Sequence, residues 1–184
     1  MHWDNLKTSI EIAALVFGLL FPIFTGKGYR LGWLLGGLSS FLNGLIAFAS
    51  GYYLDVLLNA FYIGISLLSF WGWAIKEHTF QSMSWKKTGI WLLVPGLLAV
   101  IYHPISKGIP GAELGFADGL TTFYSLAATL LLSKKIQWAW LIFVPINLLS
   151  AYMYYNKEFH FIALQFLVLT GLGIWAFYQW KREK

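Results

Sequence analysis

The sequence predicts an all-α integral membrane protein of seven transmembrane helices, arranged as a 3+1+3 parallel internal repeat. Three observations carry that prediction. Of the 184 residues, 58% are hydrophobic and 11% charged, against about 25% charged in soluble domains. The apolar residues fall into runs of the length that crosses a bilayer, about 20 residues. The chain also matches itself, without a gap, when it is slid until Glu11 falls on Asp118.

Helix 1 is expected over Ser9–Thr25, followed by a turn at Gly26, Lys27, Gly28 and Tyr29. Helix 2 follows over Leu31–Ala49, with Ser40 and Asn43 on one face, and turns at Ser50 and Gly51. Helix 3, Tyr53–Trp73, organises the rest: Asp55, Asn59, Tyr62 and Ser66 recur at i, i+4, i+7 and i+11, a single helical face. Polar groups inside a membrane helix face the bundle interior or a water-filled path, so this face is read as lining a passage. The stretch from Lys76 to Gly89 is the longest hydrophilic connection. Helix 4 is expected over Ile90–Ile101, kinked at Pro95 and Gly96, and a second loop over Ser106–Glu113 holds Gly108, Pro110 and Gly111.

Helix 5, Gly115–Ser133, repeats the device of helix 3, with Asp118, Thr122, Ser125 and Thr129 at the same spacing. After the turn at Lys134 and Lys135, helix 6 covers Gln137–Tyr155, opening on Trp138 and Trp140 and carrying Pro145 and Asn147 inside. Helix 7 covers Phe159–Tyr178, with Gln165 inside. Residues 1–75 are thus a first three-helix bundle, 76–114 a linker with helix 4, and 115–184 a second bundle. In the repeat, Glu11 falls on Asp118, Lys27 on Lys134, Trp33 on Trp140, Phe48 on Tyr155, Gly64 on Gly171 and Trp73 on Trp180. Two three-helix copies keep one orientation only if a single helix joins them, and helix 4 is that joiner. Parallel repeats with a substrate site near the midplane and alternating access are a transporter architecture.

With the N-terminus outside, ten of the thirteen basic residues lie inside, leaving Lys7, Lys107 and Lys157 outside. The positive-inside rule therefore orients the chain N-out and C-in. The net charge of +5 reads as a topology signal rather than as nucleic-acid affinity, and no removable signal peptide is expected. The absence of cysteine excludes disulfides, thiolate nucleophiles and Cys-ligated metals. The four histidines are scattered, and no phosphate-cradling glycine loop, GxSxG or catalytic carboxylate pair appears. No enzyme, metal or cofactor is expected.

The polar residues also have plain structural uses. Membrane Ser and Thr bond to their own backbone, and Asn bridges helices. Glu11 and Asp118 could complement helix dipoles. The alternative is a flat, cationic ring compound, held by stacking on Trp and Tyr and by cation–π attraction of about 0.5 to 2 kcal/mol.

YLDVLLNAFYIGISLLSFWGW, DGLTTFYSLAATLLLSKK, QWAWLIFVPINLLSAYMYY and FLVLTGLGIWAFYQW resemble the PnuC family of bacterial vitamin transporters, from Glu11 to Trp180. The resemblance implies a full-length relative of the sugar-transporting SWEET proteins in the bacterial inner membrane. It further implies that an unphosphorylated vitamin crosses down its gradient by facilitated diffusion and is trapped by a cytosolic kinase. Trp138 and Trp140 stand closer together than the spaced tryptophans of nicotinamide riboside carriers, with Leu141 and Pro145 where aromatic or polar residues are expected. That places thiamine, the PnuT branch, first and nicotinamide riboside second. By resemblance Asn59, Tyr62, Ser66, Thr122, Ser125, Trp138, Trp140 and Asn147 lie in or beside substrate-lining helices, Asn59 and Asn147 hydrogen-bonding and Tyr62 and Trp140 stacking. Asn43, Glu11 and Asp118 complete the candidate site, the two acids attracting the cation or capping helices. A vitamin-binding subunit that needs an energising partner and a small intramembrane enzyme or sensor are the competing classes. The vitamin substrate and the lipid bilayer are the expected partners, nucleic acid is not, and homo-oligomerisation stays open.

Overall fold

The computed structural model describes residues 2–51, 53–75, 80–81, 85–106, 115–156 and 158–182. Seven helices follow in order: α1 (His2–Gly26), α2 (Leu31–Ala49), α3 (Tyr53–Ile75), α4 (Trp85–Ser106), α5 (Gly115–Ser133), α6 (Trp138–Asn156) and α7 (His160–Arg182). The bounds of α2 and α5 are those expected. Helix α4 is the main difference, because it continues through Pro95 and Pro104 for 22 residues instead of ending at Ile101. Membrane helices tolerate such prolines when neighbouring groups satisfy the freed carbonyls. Lys76, His78, Lys107, Pro110, Glu113, Lys157 and Lys184 lie outside the described residues.

Among the described residues five helices are long and apolar enough to cross a membrane, namely α1, α2, α3, α4 and α7, and the chain is a multi-pass membrane protein. Helices α5 and α6, at 19 residues each, are about 28 Å long at 1.5 Å per residue, which also suits a bilayer. What sets them apart is polarity. Helix α5 carries Asp118 and a run of Thr and Ser, and α6 carries Trp, Tyr, Pro145 and Asn147.

The chain divides into a unit of Met1–His78 and a unit of Thr79–Lys184. In the first unit α2 packs against both α1 and α3; in the second, α4, α5, α6 and α7 pack in sequence order. Large apolar side chains point outward, Leu57, Leu68 and Trp71 on α3 and Phe161 on α7 among them. Small and polar residues point inward, as Ser39, Ser66, Ser69, Thr129, Asn147, Ser150 and Thr170 do. This is the arrangement expected where lipid is the solvent and helices associate through small residues and hydrogen bonds.

The repeat is written into the backbone. The four positive-φ residues among those described form two pairs in the register that sets Glu11 on Asp118: Gly28 (78°) with Lys135 (58°), and Gly51 (76°) with Glu158 (64°). Tyr29 N–H donates to Phe24 O at 2.9 Å, as Ile136 N–H does to Leu131 O at 3.0 Å. Gly51 N–H donates to Phe48 O at 3.1 Å, as Glu158 N–H does to Tyr155 O at 3.0 Å. Above the first turn of each unit stands an edge-on indole pair, Trp33–Trp73 at 5.6 Å and Trp140–Trp180 at 5.5 Å, inclined 79° and 82°. All four indoles are buried. The left-handed conformation suits glycine and strains a side chain by about 1 kcal/mol, so the first unit keeps the easier residues at both turns.

Candidate functional site

The α3 face holds the predicted stripe, and much of it is used for packing on α2. Ser66 is buried where a Cβ added to Gly37 would lie 3.2 Å from its own Cβ, and Asn59 Cβ would meet one added to Gly44 at 3.4 Å. The glycines of α2 let the two backbones approach, and the α3 polar residues fill the seam. Asn59 Nδ2 donates to Asp55 O of its own helix at 2.8 Å. Tyr62 is half-buried and edge-on to Phe61 at 5.6 Å.

On α2, Ser39 Oγ donates to Ala14 O of α1 at 2.8 Å in a buried bond, and Asn43 Nδ2 reaches Ser39 Oγ at 3.5 Å. Asn43 thus ends a short polar chain that ties α2 to α1. Glu11, on α1, is exposed and lies 3.9 Å from Lys7 Nζ. That ion pair one turn away is a surface pair of the kind worth little.

The α5 stripe differs. Asp118 stands in the first turn of α5 and is half-buried, and its Oδ2 is buried with no hydrogen-bond partner among the described residues. A desolvated carboxylate oxygen without a partner is costly to fold, which makes Asp118 the candidate to examine on this helix. Thr121, which the helical stripe does not single out, donates to Ala117 O and Asp118 O at 3.1 and 3.0 Å. That bond ties its hydroxyl to the backbone beneath the carboxylate. Thr122 and Ser125 are half-buried, and Thr129 bonds back to Ser125 O at 2.8 Å, the plain structural use. Tyr124 OH donates to Leu92 O of α4 at 2.6 Å and pins α5 to its neighbour.

Helix α6 packs against α5. Trp140 is 2% exposed, lies 6.5 Å from Phe143 and, among the described residues, leaves its Nε1–H without a partner. Asn147 is also buried. Phe143, absent from the candidates read from sequence, stands at i+3 from Trp140, and Asn147 at i+7, so one helical face carries all three. That spacing is the signal that could have found it. Trp138 is at the surface, 37% exposed and tilted against Phe177 at 5.9 Å. The structure therefore places Asp118, Thr122, Ser125, Trp140 and Asn147 on two packed helices of one unit, and Glu11, Asn43, Asn59, Tyr62 and Ser66 in the other. Among the described residues no group of three or more His, Cys, Asp or Glu gathers.

The family model described as nicotinamide mononucleotide transporter matches residues 8–182. A crystal structure of the vitamin B3 transporter PnuC is similar over 97% of this chain and 83% of its own, with a TM-score of 0.76 and 17% identity, a likeness of fold. No curated protein matches the chain. Since the family match runs from the first helix to the last, over a seven-helix fold shared with a transporter, this chain belongs to the nicotinamide mononucleotide transporter family.

Proposed function

We propose that the chain transports a flat, cationic, unphosphorylated ring vitamin by facilitated diffusion, with thiamine the first candidate. The observation that carries the reading is the buried Asp118 oxygen, which has no hydrogen-bond partner among the described residues. It offers a negative charge to a cationic ring and repels a phosphate. Aromatic side chains and Asn147 on the packed neighbour α6 supply the stacking and hydrogen-bonding groups that a heterocycle needs. Asn59, Tyr62 and Asn43 on the first unit are the further residues proposed to act on the substrate's path, while Ser66 fills the α2–α3 seam and Glu11 forms a surface ion pair. Nicotinamide riboside is the second reading, favoured by the vitamin B3 transporter of like fold. It too is a ring cation without phosphate.

Trapping of the vitamin by a cytosolic kinase supplies the direction of net uptake. The N-out, C-in orientation in the inner membrane puts Lys27, Lys134 and Lys181 on the kinase side. The chain has no cysteine, so a single Lys134→Cys variant tests the orientation directly: an impermeant maleimide should label it only after the cells are opened.

Thermal melting of the purified protein with thiamine, nicotinamide riboside and nicotinamide mononucleotide in parallel tests the substrate class. A ligand at 100 times its Kd stabilises by about 2.7 kcal/mol. Thiamine or nicotinamide riboside should raise the melting temperature, and Asp118→Asn should remove the shift. An equal shift with the mononucleotide, or none with either cation, would overturn the proposal.

A further inference from the structure

The edge-on indole pair of each unit is joined by a further ring, which comes from a different place in each. In the first unit it is Phe21 of α1, edge-on to Trp33 at 5.4 Å and 71°, so Trp33 has a ring partner from α1 as well as Trp73 from α3. A Cβ added to Gly36 would lie 2.7 Å from Phe21 Cδ2, so the Phe21 ring occupies the space beside Gly36. The second unit exchanges these residues. In the register that sets Glu11 on Asp118, Phe21 falls on Ala128 and Gly36 on Phe143. The bulk has moved from α5 to α6, and the buried Ala128 brings no ring to Trp140.

The further ring of the second unit comes from the segment before α4. Phe80 is buried and stacks on Trp180, with ring centroids at 4.2 Å and planes at 19°. Gln81 holds it there through a parallel bridge on the α5–α6 turn. Gln81 N–H donates to Lys135 O at 2.9 Å, and Gln137 N–H donates to Gln81 O at 3.1 Å. Gln137 Nε2 in turn donates to Phe177 O of α7 at 3.2 Å. The backbone of the segment therefore rests on the turn that leads into α6, while its ring rests on the end of α7.

Both indoles stand at helix ends, Trp140 in the first turn of α6 and Trp180 in the last turn of α7, where helices open most easily. Trp140 Nε1–H has no hydrogen-bond partner among the described residues, so packing orients that indole. The ring contacts run from Phe80 to Trp180, from Trp180 to Trp140 at 5.5 Å, and from Trp140 to Phe143 at 6.5 Å. Phe143 is half-buried and shares its helical face with Asn147. The series ends on the candidate site.

We propose that Phe80 is a positioning residue for the substrate: by backing Trp180 it fixes Trp140, and through Trp140 the Phe143 ring on which a flat heterocycle stacks. This rests on the function proposed above, which places the stacking groups on α6. Aromatic pairs favour defined geometries, so without the Phe80 plane Trp180 turns and the α6 rings lose the orientation that fits the substrate. Phe80 reaches the substrate only through those rings.

The test is a double-mutant cycle on the full chain, with the affinities for thiamine and nicotinamide riboside read from ligand-dependent melting. Phe80→Leu keeps an apolar side chain but removes the stacking plane, and it should weaken binding about three- to tenfold. Phe80→Tyr keeps the plane and should bind within about twofold of the unchanged chain. Phe143→Leu removes the ring on which the series ends, so adding Phe80→Leu to it should weaken binding by less than about a further twofold. A second readout needs no ligand. With fluorotryptophan incorporated, the fluorine resonance that disappears in Trp140→Phe should shift or broaden in Phe80→Leu and stay in place in Phe80→Tyr. If Phe80→Leu does not fold, Phe80→Met fills the space without a ring plane and carries the same expectations.

The proposal is overturned if Phe80→Leu binds both ligands as the unchanged chain does, if it weakens binding equally with and without the Phe143 ring, or if it leaves the Trp140 resonance where it was. The two readings fail in different ways. If neither ligand binds the unchanged chain, the proposed function fails and the role of Phe80 falls with it. If the ligands bind the unchanged chain and the Phe80→Leu chain alike, the proposed function stands and only the role of Phe80 falls.

Discussion

The two units carry the same polar spacing on helices of like role and use it differently. On α3 the residues of the stripe face glycines of α2, Ser66 against Gly37 and Asn59 against Gly44, and act as filling for a close helix seam. On α5 the stripe begins at Asp118, whose buried carboxylate oxygen has no partner among the described residues. A period of 3.6 residues tells which groups share a face. Whether that face meets a glycine seam or leaves a polar atom unpaired depends on the neighbour.

The largest effect expected is at Asp118. Asp118→Asn should lower uptake of the cationic vitamin in proteoliposomes about tenfold or more, a loss of about 1.4 kcal/mol, with the melting temperature unchanged or raised. Glu11→Gln, at the repeat-related but exposed position, should change uptake less than about twofold. Equal losses in both variants would erase the contrast between the units.

Next comes the seam. Ser66→Leu should destabilise the protein by about 1 to 3 kcal/mol through overpacking against Gly37, read as an earlier melt, while each folded molecule keeps its uptake rate. A loss of uptake without a loss of stability would move Ser66 from the seam to the substrate path. A smaller effect is expected from Ser39→Ala, which removes the buried bond to Ala14 O and should cost about 0.5 to 1.5 kcal/mol. The smallest concerns Gly64 and its repeat mate Gly171, at which an added Cβ meets nothing within 4 Å. Replacing either by Ala should leave stability unchanged or raise it by up to about 1 kcal/mol. A clear loss at one position alone would show that the two units are packed differently there.

Much of the candidate site is legible in the sequence because its elements are long and periodic. The α5 and α3 stripes and the start of α6 can all be read from spacing. Phe143 escapes such a reading because an aromatic residue among apolar ones carries no contrast, although it lies on the face of Trp140 and Asn147. The continuation of α4 through Pro95 is hidden for a related reason: a proline lowers local helix propensity, and the compensation comes from neighbours that local sequence does not name.

By itself the sequence determined the membrane class, the seven helices and the register of the repeat, since apolar run length, turn residues and internal matching are properties of the chain alone. Tertiary structure decided how the equivalent groups are used. It paired Trp33 with Trp73 and Trp140 with Trp180, enclosed Ser66 in a glycine seam and, among the described residues, left an oxygen of Asp118 buried without a partner. It also laid Phe80 and Gln81 along one turn of a repeated pair. The physical reason is that burial and hydrogen-bond satisfaction belong to pairs of groups distant in sequence, and only the fold chooses the pairs.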